Sequence, residues 1–137
     1  MDSYSKLLER VNSPGHYSTY SGIQVTRIEG REAEGRLAIC PENLNPMGMV
    51  HGGAMVTLAD TVAGCAAFTS GRVCVTLDCT MQYLAPGTGS WLRCLATPKK
   101  LGKTILVYDA VITDDQGETV ATGTYTFFAK EEQAEIH

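Results

Sequence analysis

Between Glu42 and Arg72 the chain carries a single Asp, Glu, Lys or Arg, and that residue, Asp60, falls inside an apolar run. From Ala54 to Phe68 the sequence reads AMVTLADTVAGCAAF. Such a helix is apolar around nearly its whole circumference, so it is expected to be buried on most sides, Asp60 included. An aspartate is a poor helix-interior residue and is costly to bury unless paired or neutralised. One reading is structural: Asp60 bonds Thr57 or Thr61, or projects to the surface. The other is functional, a partly desolvated carboxylate poised as base or nucleophile. Its sequence neighbours offer no cation for a structural pair, which favours function.

His51-Gly52-Gly53 opens this helix. Glycines at a helix start let a ligand approach free backbone N–H groups, and the helix dipole favours negative charge there. An oxyanion hole needs those two properties. An ordinary tight turn uses the same residues, and a lone histidine at a helix entry mostly orients or caps. Spacing sharpens the pair. Gly52 and Asp60 are eight residues apart, about 12 Å along a helix axis. One carbonyl carbon cannot lie about 3 Å from both groups of the same helix. If both act on one substrate, the amide comes from one subunit and the acid from another, as in a two-fold dimer with two equivalent sites.

The surrounding elements fit one domain, residues 1–137. The chain is 44% hydrophobic and 19% charged with a net charge of −4, so disorder and general nucleic-acid binding are disfavoured. A helix is expected over residues 3–11, stopped by Asn12-Ser13-Pro14-Gly15. Strands follow at 21–29 and 34–40, then the helix from His51 to about Thr69, then strands at 73–84, 90–101, 104–113 and 119–129, with a polar tail over 130–137. In the strand at 73–84, Val73, Val75, Leu77, Cys79, Met81 and Tyr83 alternate with polar residues, which reads as one apolar face. One long helix followed by four long strands indicates an α+β fold in which an antiparallel sheet curls around the helix. A membrane span needs about 20 apolar residues without a central acid, so none is expected.

The stretch Asn45-Pro46-Met47-Gly48-Met49-Val50-His51-Gly52-Gly53, followed by Leu58-Ala59-Asp60, resembles the hotdog-fold acyl-CoA thioesterases of the PaaI type. Leu77-Asp78, Tyr83-Leu84-Ala85-Pro86 and Leu101-Gly102-Lys103-Thr104 support the likeness, which covers about residues 20–130. The resemblance implies the hotdog fold, a long central helix wrapped by a curved antiparallel sheet, in dimers and often tetramers with sites at the dimer interface. It implies hydrolysis of acyl-CoA to free acid and CoA. By matching position Asp60 is the catalytic carboxylate and Gly52 the backbone donor that polarises the thioester carbonyl. Asn45 assists around the carbonyl or the attacking water, Thr76 positions water near the acid, and His51 has a supporting role. Gly53 is carried with Gly52 as part of the substrate-binding turn. Water activated by Asp60 and direct attack by Asp60 both satisfy the residues.

Lys99, Lys100 and Lys103 around a turn are candidates to meet the CoA phosphates, with Arg72 a weaker one. CoA is part of the substrate, and neither a cofactor nor a metal is expected. The five cysteines include no C-x-x-C pair and the three histidines build no zinc framework, so buried reduced thiols are expected, Cys65 among them as core. A polar N-terminus without an apolar signal core points to the cytoplasm. The segment His16 to Ser21 stands where relatives carry apolar residues; lining the acyl pocket, it would favour a polar or aromatic acyl group. Two other functions compete: a hotdog hydratase or dehydratase, and a non-catalytic acyl-CoA-binding protein.

Overall fold

A computed structural model of the chain describes residues 3–137. The elements in chain order are α1 (Ser5–Asn12), α2 (Tyr17–Tyr20), β1 (Ile23–Glu29), β2 (Glu32–Ala38), α3 (Gly52–Phe68), β3 (Arg72–Tyr83), β4 (Trp91–Leu101), β5 (Ile105–Asp114) and β6 (Thr119–Gln133). The six strands form one sheet in the order β1-β2-β4-β5-β6-β3, every neighbouring pair antiparallel. α3 packs against all six strands and supplies the centre of the core. Leu58, Ala59, Val62, Ala63, Ala66 and Ala67 are buried, and their small side chains let the sheet close around the helix.

That closeness is sharpest at Gly35. A Cβ there would stand 2.5 Å from Val62 Cγ2 and 3.1 Å from the Gln24 carbonyl oxygen. Val62 is fully buried and has no room to yield. Gly35→Ala should therefore cost about 1–3 kcal/mol of stability by overpacking, read as a lower urea midpoint at unchanged m-value. A midpoint equal to the parent's would mean that β2 and α3 can separate without penalty.

β3 departs from its sequence pattern. Thr76 pairs with Phe127 and Asp78 with Thr126, so Leu77 is an extra, unpaired residue, a β-bulge. A one-residue slip moves every later side chain to the other face. Cys74, Thr76, Cys79, Met81 and Tyr83 thus share the helix-facing side, opposite Ala129, Phe127, Tyr125, Gly123 and Ala121. Val75, 46% exposed, and Asp78 lie on the outer side. The continuous apolar face expected from Val73 to Tyr83 does not exist. Cys74 and Cys79, five positions apart, share a face because of the bulge.

Other boundaries differ too. α2 has no counterpart among the expected elements; its four residues lack a hydrophobic period and are held by reciprocal bonds between His16 and Thr19. The expected polar tail over 130–137 begins later, because β6 continues to Gln133 opposite Arg72. Beyond it Ile136 is buried and His137 stacks on Tyr4 with ring centroids 5.4 Å apart. The outer strand β3 is tied at its start by the Arg72 guanidinium, which donates to the carbonyl oxygens of Lys130 (2.6 Å), Lys103 (2.5 Å) and Ala129 (2.7 Å).

Candidate active site

Asp60 is half-buried rather than buried. It belongs to a stripe of α3 that the sheet leaves uncovered, with Thr57, Thr61, Gly64 and Phe68. The fully shielded acid among the described residues is Asp114, 7% exposed, whose Oδ1 accepts from the N–H groups of Gln116 and Glu118 in a turn. Asp60 bonds neither neighbouring threonine. Thr57 Oγ1 donates to the Gly53 carbonyl (2.9 Å) and Thr61 Oγ1 to the Thr57 carbonyl (2.7 Å), both one turn back along the helix. Its partner comes from across the groove: Thr76 Oγ1 donates to Asp60 Oδ1 at 2.7 Å. The Leu77 bulge lies just after Thr76.

Asp60 and Thr76 open onto a cavity of about 480 Å³ whose apolar wall includes Leu7, Val11, Phe68 and Phe127. His16, Tyr17 and Ser18 form part of its rim, so the unusual N-terminal segment lies beside the acid. Cys65 also faces this cavity, but burial pushes its thiol up to about 12, so it is no nucleophile near neutral pH. Cys74 and Cys94 are buried too; Cys79 is exposed and Cys40 half-buried, so the expectation of buried thiols fails at those two.

The other end of α3 is built differently. His51 is the N-cap, and its Nδ1 accepts from the Gly53 N–H at 2.8 Å, which requires the ring proton on Nε2. The amides of Ala54 and Met55 bond to the His51 carbonyl at 2.9 and 3.2 Å. The Gly52 N–H is left as the amide of this helix end with no protein partner among the described residues. The Gly53 N–H is occupied by His51, so of the two glycine amides the one at Gly52 is open. Asn45 Oδ1 accepts from the N–H groups of Met47 (2.9 Å) and Met49 (3.0 Å) and shapes the loop, leaving its Nδ2 donor over. Asn45 and Gly52 line a second cavity, of about 360 Å³, together with Tyr83, whose hydroxyl donates to the Gly52 carbonyl at 2.9 Å. Tyr83 is the functional candidate that residue-by-residue reading of the sequence missed.

The two cavities share no residue. The amide and Asn45 lie on one, the carboxylate and Thr76 on the other. Of the phosphate candidates, Lys99 is paired with Asp109 at 3.2 Å. Lys100 and Lys103 are exposed and belong to no ion pair among the described residues. The Arg72 guanidinium is engaged by three carbonyls.

A long helix wrapped by six antiparallel strands is the hotdog architecture. Residues 47–121 match the thioesterase superfamily. The acyl-coenzyme A thioesterase PaaI of Escherichia coli (strain K12) is 33% identical over 101 residues, 73% of this chain and 72% of that protein. The structure of E. coli PaaI, from the phenylacetic acid degradation operon, superposes with a TM-score of 0.86 over 96% of this chain and 99% of that one, at 25% identity. A hypothetical thioesterase protein of Streptococcus pneumoniae TIGR4, solved with coenzyme A, gives 0.77 over 82% of this chain and 88% of that one, at 26% identity. The chain belongs to the thioesterase superfamily and, within it, to the PaaI-type hotdog enzymes.

Proposed function

We propose that the protein hydrolyses acyl-CoA thioesters to free acid and CoA, in active sites each assembled from two copies of the chain. The observation that carries this reading is the separation of the two cavities: the groups that polarise a carbonyl and the group that activates water open onto different spaces of one chain. A second copy supplies the missing half. β3 favours that arrangement, being an outer strand of 12 residues with Val75 and Leu77 exposed at 46% and 55%. An unpaired strand edge of this kind invites pairing with another chain. Antiparallel pairing of β3 with its two-fold copy would carry Thr76 and Asp60 of one chain toward Tyr83, Gly52 and Asn45 of the other. On the sheet's outer face, Ile105, Val111 and Phe128 are also exposed, which supports a dimer of dimers.

In this site the Gly52 N–H, aided by Asn45 Nδ2, receives the thioester oxygen as negative charge develops on it. Thr76 holds Asp60 Oδ1, so Oδ2 is the oxygen that either takes a proton from the water adding to the acyl carbon or attacks that carbon to form an anhydride, which water then hydrolyses to the free acid. The CoA thiolate leaves and is protonated. The acyl group occupies the cavity of about 480 Å³, where Tyr17 and His16 suit an aromatic or polar acyl group. CoA arrives as part of the substrate, and no separate cofactor is invoked. Support for CoA comes from the PaaI relative and from the coenzyme A held by the pneumococcal one. Lys100 and Lys103 are assigned to its phosphates. Five unpaired cysteines support a reducing compartment, the cytoplasm.

A panel of aromatic, short and long acyl-CoAs, read by thiol release, tests this. At least one should turn over, and changing Lys100 and Lys103 together to Ala should raise its KM about fivefold or more, with the gap closing at high salt. The corresponding acyl-N-acetylcysteamine, which lacks the nucleotide, should show no such change. Tight acyl-CoA binding without thiol release would make the protein a binder, and formation or hydration of an enoyl thioester would make it a hydratase.

A further inference from the structure

We infer that Tyr83 is a positioning residue for the carbonyl-polarising amide and that it works with His51 as a clamp on one peptide group; this rests on Gly52 N–H being that donor. Two consecutive glycines are the softest backbone a chain can offer. An oxyanion donor is effective only when its direction is fixed before the charge develops. The peptide joining Gly52 to Gly53 is held at both ends. Its carbonyl accepts from the Tyr83 hydroxyl at 2.9 Å, and its N–H donates to His51 Nδ1 at 2.8 Å. The Gly52 N–H lies directly across the Gly52 Cα from this clamped group. Tyr83 also fills one flank of that Cα: a Cβ on Gly52 would stand 3.1 Å from its Oη and 3.2 Å from its Cζ. The donor is left open on the other side.

The reach of Tyr83 depends on the bulge. Thr76 and Tyr83 are seven positions apart and would face opposite sides of a regular strand. The unpaired Leu77 turns both toward α3, so one strand serves Asp60 with Thr76 and Gly52 with Tyr83. Within one chain Tyr83 is 51% exposed, so packing inside the chain does not force the bond to the Gly52 carbonyl.

Tyr83→Phe keeps the ring and removes only the hydroxyl. It should lower kcat about 5- to 10-fold, the scale of one lost hydrogen bond, with KM for the acyl-CoA and the thermal midpoint unchanged. His51→Ala should cause a similar fall and His51→Asn should restore most of it, because Asn is a strong N-cap acceptor. The Tyr83→Phe, His51→Ala double variant should fall less than the product of the two, since both act on one peptide group. A Tyr83→Phe enzyme with the parent's kcat would overturn the clamp, as would a raised KM at unchanged kcat, which would mean that Tyr83 touches substrate. Strictly multiplicative losses would also overturn it. The His51 arm reads the clamp independently should Tyr83→Phe lower the midpoint. A parent enzyme that releases no thiol from any acyl-CoA would instead defeat the thioesterase reading beneath it.

Discussion

Asp60→Asn should lower kcat for acyl-CoA hydrolysis by about a thousandfold and leave the chain folded. Asparagine has nearly the shape of aspartate, and its carbonyl oxygen can still accept from Thr76 Oγ1, which now lies 2.7 Å from Asp60 Oδ1. Asp60 is half-buried, makes no ion pair among the described residues and lies on the uncovered stripe of α3, so the stability change should stay within about 0.5 kcal/mol. What disappears is the ionised oxygen. Proton abstraction from water and direct attack on the acyl carbon both need it, so either route stops. Thr76→Val should cost less, about tenfold, because it frees the carboxylate from its partner without removing it. Thiol release under saturating substrate, with a thermal melt beside it, decides the matter. Hydrolysis by Asp60→Asn at the parent rate would remove Asp60 from the chemistry.

The second large effect is expected at an atom that no side-chain substitution can reach. Gly52→Pro removes the Gly52 N–H, and proline at the first position of a helix suits the fold, since that N–H has no partner in the helix. The preceding residue is also compatible: His51 has φ −60° and ψ 137°, the extended conformation required before proline. A new Cβ would press on Tyr83 at 3.1–3.4 Å. Gly52→Ala brings the same Cβ but keeps the N–H, so the comparison between the two variants isolates the donor. Gly52→Pro should be slower than Gly52→Ala by about a hundredfold or more in kcat, the usual scale for one lost oxyanion donor. Equal rates would mean that another group polarises the carbonyl.

These two residues were also the most legible in the sequence, for a physical reason. An acid alone in an apolar helix and a double glycine at its start are local anomalies, and their spacing along one helix is set by helix geometry. The sheet curled around that helix followed from the order and lengths of the strands. The bulge at Leu77 did not, because a regular alternation through Tyr83 is written in the residues and is broken only by register against β6. With the bulge hidden, the roles of Thr76 and Tyr83 could not be derived from strand period; Thr76 rested on resemblance alone, and Tyr83 only formed part of a matching segment. Asp60 was expected to be buried because the helix is apolar all round, yet the sheet ends at β3 and leaves its stripe open. The donors of Gly53 and Arg72 are engaged by His51 and by three carbonyls, partners that spacing does not reveal.

Sharing of each site between two chains is the central claim, and complementation tests it most directly. One chain carries Asp60→Asn. The other carries Asn45→Asp, which keeps the oxygen that holds Met47 and Met49 in the loop but replaces the Nδ2 donor by negative charge beside the developing oxyanion. Each variant alone should be inactive. After complete exchange at equal concentrations, half the dimers are mixed, and each mixed dimer holds one site with both wild-type residues and one with neither. Activity should then recover to about a quarter of the parent's. No recovery after exchange has been verified by mass would contradict the account, because it would put Asn45 and Asp60 of the same chain in one site.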